Sequence, residues 1–264
     1  MMSKTKYTVL SYNMGSYELI HPILEKSERA RYIMVTDDPD LKDESGTWDI
    51  VYDETLTGTP FDKTLQVRYN PFKYTDDTIV VKIDGSVGVN KSLDNLIDRF
   101  EKEPYDMSLM AHPGWDNFID EYTAWVKNRQ YPAAHANFVL TFINNVEGYD
   151  VQNYKGLLQA CYWIQRRNKL NEDANRLIYA FCKYLAGRSD EVERVDQVIA
   201  SFVLQKFFGT ANIMWVDQRM YQSDYFTWYP HKSNIPFEKM EAKDLCKPSW
   251  KGERLHNVVR PQDL

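Results

Sequence analysis

The chain has 264 residues and a mass of 31.1 kDa, enough to bury a sizeable core as one large α/β domain or two small ones. Its 43% hydrophobic and 14% aromatic content excludes a disordered tail or linker. Thirty-two Lys and Arg against 38 Asp and Glu give a net charge of −6, so no global basic field exists for nucleic acid or an anionic membrane, and an anionic ligand needs a local site.

Residues 6–13 read as a β-prone run ending ahead of Gly15, residues 31–36 as a second run cut off by Asp37-Asp38-Pro39-Asp40, and residues 48–52 as a third. Residues 61–69 can be helical. Residues 78–83 form a nearly continuous apolar strand that runs into Asp84-Gly85-Ser86. Strands alternating with helical stretches predict an α/β fold with a mostly parallel, Rossmann-like sheet covered on both faces. A helix over 92–101 follows, with Ser92 as its cap and Leu93, Leu96, Ile97 and Phe100 at helical spacing, and then a strand over 105–110. From about residue 115 the pattern is mostly helical (115–127, 134–144, 172–186 and 195–207), with one β segment over 158–166. From Ile213 onward the chain is rich in Tyr, Trp, Pro and His, with weak periodicity. No internal repeat or Gly/Ser/Pro linker divides the chain, which predicts a single domain with a C-terminal flap.

The apolar runs at 137–143 and 78–83 are far shorter than the roughly 20 residues of a spanning helix, and the mean hydropathy is −0.56. The start of the chain carries too short an apolar run for a signal peptide, so cytoplasmic residence is the expectation. Cys161, Cys182 and Cys246 are odd in number, far apart and without a Cys-x-x-Cys pair. They read as buried thiols rather than disulfides or zinc ligands.

In open α/β sheets ligands bind outside the carboxyl ends of the strands, and polar residues concentrate there in this sequence. Strand one ends in Ser11-Tyr12-Asn13, strand two in Thr36-Asp37, and the apolar strand at 78–83 in Asp84-Gly85-Ser86. A carboxylate placed directly after an apolar strand needs a cation or donors, because its burial is otherwise expensive. An Asp-Gly turn is the structural alternative. Gly-x-Gly-x-x-Gly, Gly-x-x-x-x-Gly-Lys, His-x-x-x-His and Gly-x-Ser-x-Gly are all absent, so dehydrogenase, P-loop, zinc-peptidase and α/β-hydrolase readings lose their anchors. What remains is a carboxylate-led site.

Six motifs in order carry a resemblance over about residues 7–209. They are the run from Tyr7 through Asn13 to Tyr17, Tyr32 to Asp40, Trp48-Asp49-Ile50, Lys82 to Ser86 with Leu93 to Ile97, Ala111-His112-Pro113 with Asp120-Glu121, and Val195-Asp196-Gln197. Together they resemble the glycosyltransferase-like family catalogued as domain of unknown function 616, which is itself similar to A-type-fold nucleotide-sugar transferases such as glycosyltransferase family eight. The resemblance implies a nucleotide-binding half (1–110), an acceptor and donor-sugar half (111–212) and the flap (213–264). It also implies a UDP-sugar donor held by Ser11, Tyr12, Asn13, Thr36, Asp37, Lys63, Arg68, Asp84, Gly85 and His112. Asp84 takes the place of the family's Asp-x-Asp motif, where a divalent Mn2+ or Mg2+ bridges the diphosphate, and Asp84, Ser86 and the late His231 would be the ligands.

Ser86 stands where the second acid is expected, and a hydroxyl is the poorer ligand, which predicts a weak metal dependence. Trp115 stands where the family's His-Pro-x-Arg stretch has Arg. Lys63 and Arg68 on one helix could point together at a diphosphate, the alternative being solvated helix charges. Asp196 and Gln197 open an apolar helix whose packed face leaves its N-terminal end free to present polar groups.

As catalytic residues the resemblance implies Asp196 or Glu121 as a base in an inverting enzyme, or Gln197 beside the anomeric carbon in a retaining one. His231 is either a ligand or a loop histidine. Trp215, Tyr221, Tyr225, Phe226, Trp228 and Tyr229 either stack on sugar rings or fill core. The implied activity is transfer of a sugar to a saccharide acceptor in bacterial capsule or surface polysaccharide synthesis, without nucleic acid or a transmembrane segment and with peripheral membrane association left open. A non-catalytic carbohydrate-binding or scaffold protein is the rival, and a nucleotide-sugar hydrolase or nucleotidyltransferase is a third reading.

Overall fold

A computed structural model describes residues 5–112, 117–129, 133–146, 150–151, 156–186, 196–209, 212–216, 225–229 and 258–259. The elements in chain order are β1 (Tyr7–Asn13), β2 (Ala30–Thr36), β3 (Asp49–Tyr52), α1 (Pro60–Arg68), β4 (Ile79–Ile83), β5 (Val87–Val89), α2 (Asp94–Lys102) and β6 (Met107–Ala111). They continue with α3 (Phe118–Arg129), α4 (Ala133–Val146), β7 (Leu158–Arg166), α5 (Lys169–Ala186), α6 (Asp196–Val203), β8 (Ile213–Val216), β9 (Phe226–Trp228) and β10 (Val258–Val259).

Eight strands form one sheet in the order β10-β8-β6-β7-β4-β1-β2-β3, and β5 pairs with β9 in a separate ribbon. Only β7 runs against its neighbours β4 and β6; the other pairings in the large sheet are parallel. The expected α/β architecture with a mostly parallel sheet flanked by helices is therefore present. From β1 the chain builds outward through β2 to β3 and then returns to lay β4 on the other side of β1. The β1/β4 boundary is thus the point where strand order reverses, the place where open α/β sheets leave a crevice at their carboxyl edge.

Alternation along each strand splits the core. Ile79, Val81 and Ile83 of β4 pack with Leu93, Leu96, Ile97 and Phe100 around α2, all four of which are fully buried as their spacing predicts. Val80 turns to the opposite face and packs with Leu10, Tyr12 and Val67, beside the larger cluster built by α1, α3, α4, α5 and α6. Lys82 shares that face.

Helix α2 begins at Asp94 with Leu93 at its N-cap, so Ser92 is not the cap itself; its hydroxyl accepts from the Asp94 N–H at 3.2 Å just ahead of the helix. α1 starts with a Thr59/Asp62 capping box and Pro60 in its first turn. Cys161 and Cys182 are free buried thiols, as expected, and Cys246 lies outside the described residues. Among the described residues no helix is long and apolar enough to cross a membrane.

β8 and β10 extend the central sheet, and β9 holds β5, so described parts of the stretch from 213 onward belong to sheets. Trp215, Tyr225 and Phe226 are buried core residues, and Tyr229 stacks on His21 at 3.7 Å. Tyr221 lies outside the described residues.

At the β1/β4 boundary the turn after β4 rides directly on β1. A Cβ on Gly85 would lie 2.7 Å from the Tyr12 carbonyl oxygen and 3.0 Å from the Glu18 side chain. The main-chain oxygen cannot swing aside as a side chain can, so Gly85→Ala should destabilise the fold by about 1–3 kcal/mol. A urea midpoint equal to that of the wild type would show that the turn and β1 are not in contact as described.

Candidate active site

Four residues from four elements meet at this boundary. Arg68 ends α1, Tyr12 lies near the end of β1, Asp84 follows β4, and Asp196 opens α6. The Arg68 guanidinium donates from Nε to the Tyr12 hydroxyl at 2.6 Å and from one terminal nitrogen to Asp84 Oδ1 at 2.5 Å; the other terminal nitrogen pairs with Asp196. The Tyr12 hydroxyl in turn donates to Asp84 Oδ1. Burial alone would lower the Arg68 pKa, but Asp84, Tyr12 and Asp196 outweigh it and hold the group well above its ordinary value. Burial pushes the Tyr12 phenol up, so both its roles are played as a neutral hydroxyl.

Arg68 is therefore not a solvated helix charge: the two carboxylates occupy its guanidinium. Asp84 keeps an open side, with 26% of its side chain exposed against 9% for Asp196. Lys63, one turn earlier on α1, pairs with Asp37 at 2.7 Å, and Asp37 also accepts the Gly15 N–H at 2.7 Å. Lys63 and Arg68 are thus both engaged with acids that follow β2 and β4, the strands on either side of β1.

Asp196 and Gln197 differ from the expectation of a free helix end: all eight residues of α6 are buried. The cause is a web of polar bonds. Gln197 Oε1 accepts the Ala160 N–H at 3.2 Å, the Ser201 hydroxyl accepts the Leu158 N–H at 3.1 Å, and Gln197 Nε2 donates to Glu121 Oε1 at 2.9 Å. Ala160 lies where β7 bulges out of register with β6 between Leu109 and Met110. A bulge frees main-chain groups from the ladder, and here the freed Ala160 N–H aims Gln197. The Asp84 N–H donates to the Cys161 carbonyl at 3.1 Å, continuing the β4/β7 ladder one position past Ile83 and Tyr162.

Glu121 is 1% exposed on α3, and His112 Nε2, just past β6, lies 3.5 Å from its Oε2. Burial raises the Glu121 pKa to about 8 and lowers that of His112 to about 3, so near neutrality both are uncharged and their contact is not an ion pair. Glu121 accepts from Gln197, the second residue of α6, and so holds that side chain in place.

The remaining expected residues build the loops. The Asn13 amide clamps the chain at Glu18 through its carbonyl at 2.9 Å and its N–H at 3.1 Å, and the Thr36 hydroxyl donates to the Asn13 carbonyl at 2.9 Å. Ser11 is buried inside β1, and Ser86 is 2% exposed beneath the β5/β9 ribbon. Trp115 and His231 lie outside the described residues. The described donors do not fit a divalent ion: Asp84 is one carboxylate with a guanidinium against it, Ser86 is covered, and no group of three metal-ligating side chains occurs among the described residues. Sequence reasoning missed Lys82, which lies buried under Arg68; its signal was a lysine inside the apolar run Ile79–Ile83.

Glu121 keeps its proton to about pH 8 when folded and to about 4.5 when unfolded, so its contribution to stability is complete below 4.5 and is lost as the pH rises to about 8. His112 acts in the opposite sense: its contribution is complete above 6.5 and lost as the pH falls toward about 3. Between 6.5 and 8 His112 is neutral in both states, so of this pair the loss from Glu121 operates. Glu121→Gln should therefore flatten the decline in melting temperature across that interval, and parallel curves for variant and wild type would refute the burial of a protonated Glu121.

No protein-family model matches the chain, and a search of the curated proteins finds no match.

Proposed function

We propose that this protein is a glycosyltransferase of the A-type fold that moves a sugar from a nucleoside diphosphate, UDP being the first choice, to a saccharide acceptor, with surface polysaccharide synthesis as its context. The observation that carries the proposal is the convergence of Asp84, Asp196, Arg68 and Tyr12 at the carboxyl ends of β1 and β4, where strand order reverses. The order of motifs along the chain supports the same class.

Sugar transfer breaks the bond from the anomeric carbon to the diphosphate oxygen and forms one to an acceptor oxygen, while the acceptor hydroxyl loses its proton. The residues that touch ligand must orient a sugar and accept hydroxyl protons. Asp84 is suited to both roles, because Arg68 and Tyr12 fix Oδ1 and the partly exposed carboxylate presents its other oxygen to a ligand. Asp196 holds Arg68 from the far side and so sets the direction of Asp84. Glu121, protonated and buried, positions Gln197 and is not the base of this proposal. A divalent ion would supply charge neutralisation of the diphosphate, but no step is assigned to it because the described donors do not form its site.

A non-catalytic, hydroxyl-binding reading gains support from one observation, the pairing of both acids with a single buried arginine. Thermal-shift titration with UDP-, GDP- and CMP-sugars tests both. A donor at 100 times its Kd stabilises by about 2.7 kcal/mol. Asp84→Asn, with an unaltered circular dichroism spectrum, should weaken the responding donor by about tenfold or more. Silence toward every nucleotide sugar, combined with a shift by free saccharides, would replace the transferase by the binding protein; unchanged donor affinity in Asp84→Asn would remove the site.

A further inference from the structure

Lys82 plays no part in the function proposed above, yet it is placed with care. It lies on β4 two residues before Asp84, 3% exposed, on the face that α1 covers. Its Nζ donates to the Arg68 main-chain carbonyl at 2.9 Å and stands 4.1 Å from the centroid of the Trp163 ring and 5.4 Å from that of Tyr69. Other described cations near the sheet's carboxyl edge, Arg68, Lys63 and Lys73, face carboxylates; Lys82 faces a carbonyl and two rings.

The Arg68 carbonyl is an orphan of its helix. Arg68 is the last residue of α1, and the final carbonyls of a helix have no intrahelical donor. Lys82 supplies one from the strand below, in the manner of a basic side chain at a helix C-terminus. Two residues along the same strand, Asp84 takes the guanidinium of the same arginine. β4 and the residue that follows it therefore grip Arg68 at both ends, main chain by Lys82 and side chain by Asp84, and the two-residue spacing of 82 and 84 is what lets one short segment do both. Burial and the neighbouring Arg68 charge lower the Lys82 pKa well below its ordinary value, which suits a group that serves as a hydrogen-bond donor rather than as a counter-ion.

We propose that Lys82 is a positioning residue that caps α1 through the Arg68 carbonyl and thereby fixes the guanidinium between Asp84 and Asp196. Its consequence for ligand binding rests on the function proposed above; the placement itself does not. A packing role alone predicts that Lys82→Met, which keeps the apolar stem and removes a buried amine, is as good as the wild type or better. The positioning role predicts that Lys82→Met, which leaves the buried Arg68 carbonyl without its donor, lowers the melting temperature and shifts or broadens the Arg68 Nε–Hε resonance, identified by its loss in Arg68→Lys. Lys82→Gln, which retains a donor for the carbonyl, should restore that resonance and serves as the second variant if Lys82→Met fails to fold.

In UDP-sugar titrations Lys82→Met should bind about tenfold more weakly than wild type, with Lys82→Gln in between. An Arg68 resonance unchanged in Lys82→Met overturns the proposal. A resonance that moves in Lys82→Met and returns in Lys82→Gln, in a protein whose wild type binds no nucleotide sugar, upholds the positioning role and overturns the transferase.

Discussion

A guanidinium cannot shed its charge to escape burial, so a chain that encloses one must surround it with acceptors and anions. Arg68 is enclosed, and the sequence supplies its partners from distances of 16, 56 and 128 residues: Asp84, Tyr12 and Asp196. Each of these residues lies at or near the end of a different element, so satisfying one arginine fixes β1, β4, α1 and α6 relative to one another at the carboxyl edge of the sheet. The arrangement also explains why the first residue of α6 is buried. An acid at a helix start ordinarily faces water; here it completes the coordination of the arginine.

The second layer of constraint is main-chain hydrogen bonding. β7 is the one reversed strand, and its bulge opposite Leu109 and Met110 leaves donors and acceptors that the ladder does not use. Gln197 takes up one of them, the Ala160 N–H. The orphan carbonyl at the end of α1 is met by Lys82. In each case a side chain closes a gap in a regular backbone pattern, and the gaps lie beside the cluster because the elements that build it end there.

Local periodicity made much of the frame legible. The unbroken apolar run of β4 and the spacing of Leu93, Leu96, Ile97 and Phe100 on α2 are properties of short windows, and both elements stand where those windows put them. β5, β9 and β10 have two or three residues each and exist only because a partner strand receives them, which no window of their own sequence can show. The site divides in the same way. Asp84 announces itself as an acid after an apolar strand. Its partners do not, because the convergence of residues 12, 68 and 196 is set by sheet order rather than by spacing. The first residues of α6 mislead for a related reason: Asp196 and Gln197 suggest a helix with an open end, but each is buried against a specific partner.

The charge balance at the cluster bears on which part of a nucleotide sugar it would meet. Asp84 and Asp196 carry two negative charges against the single positive charge of Arg68, and Lys63 is balanced by Asp37. A surplus of one negative charge repels a diphosphate and favours groups that bring protons to an acceptor, as sugar hydroxyls do. On the proposed function, the sugar therefore lies against the open side of Asp84 and the diphosphate lies farther out, toward the ends of β1 and β2. There the Gly15 N–H and Lys63 both point at Asp37, and a phosphate oxygen could replace that carboxylate with the same two donors. The pairing of Arg68 with two acids would then serve to keep the sugar end of the site free of phosphate, and the distance between the two pairs, both anchored on α1, would set the spacing between sugar and diphosphate.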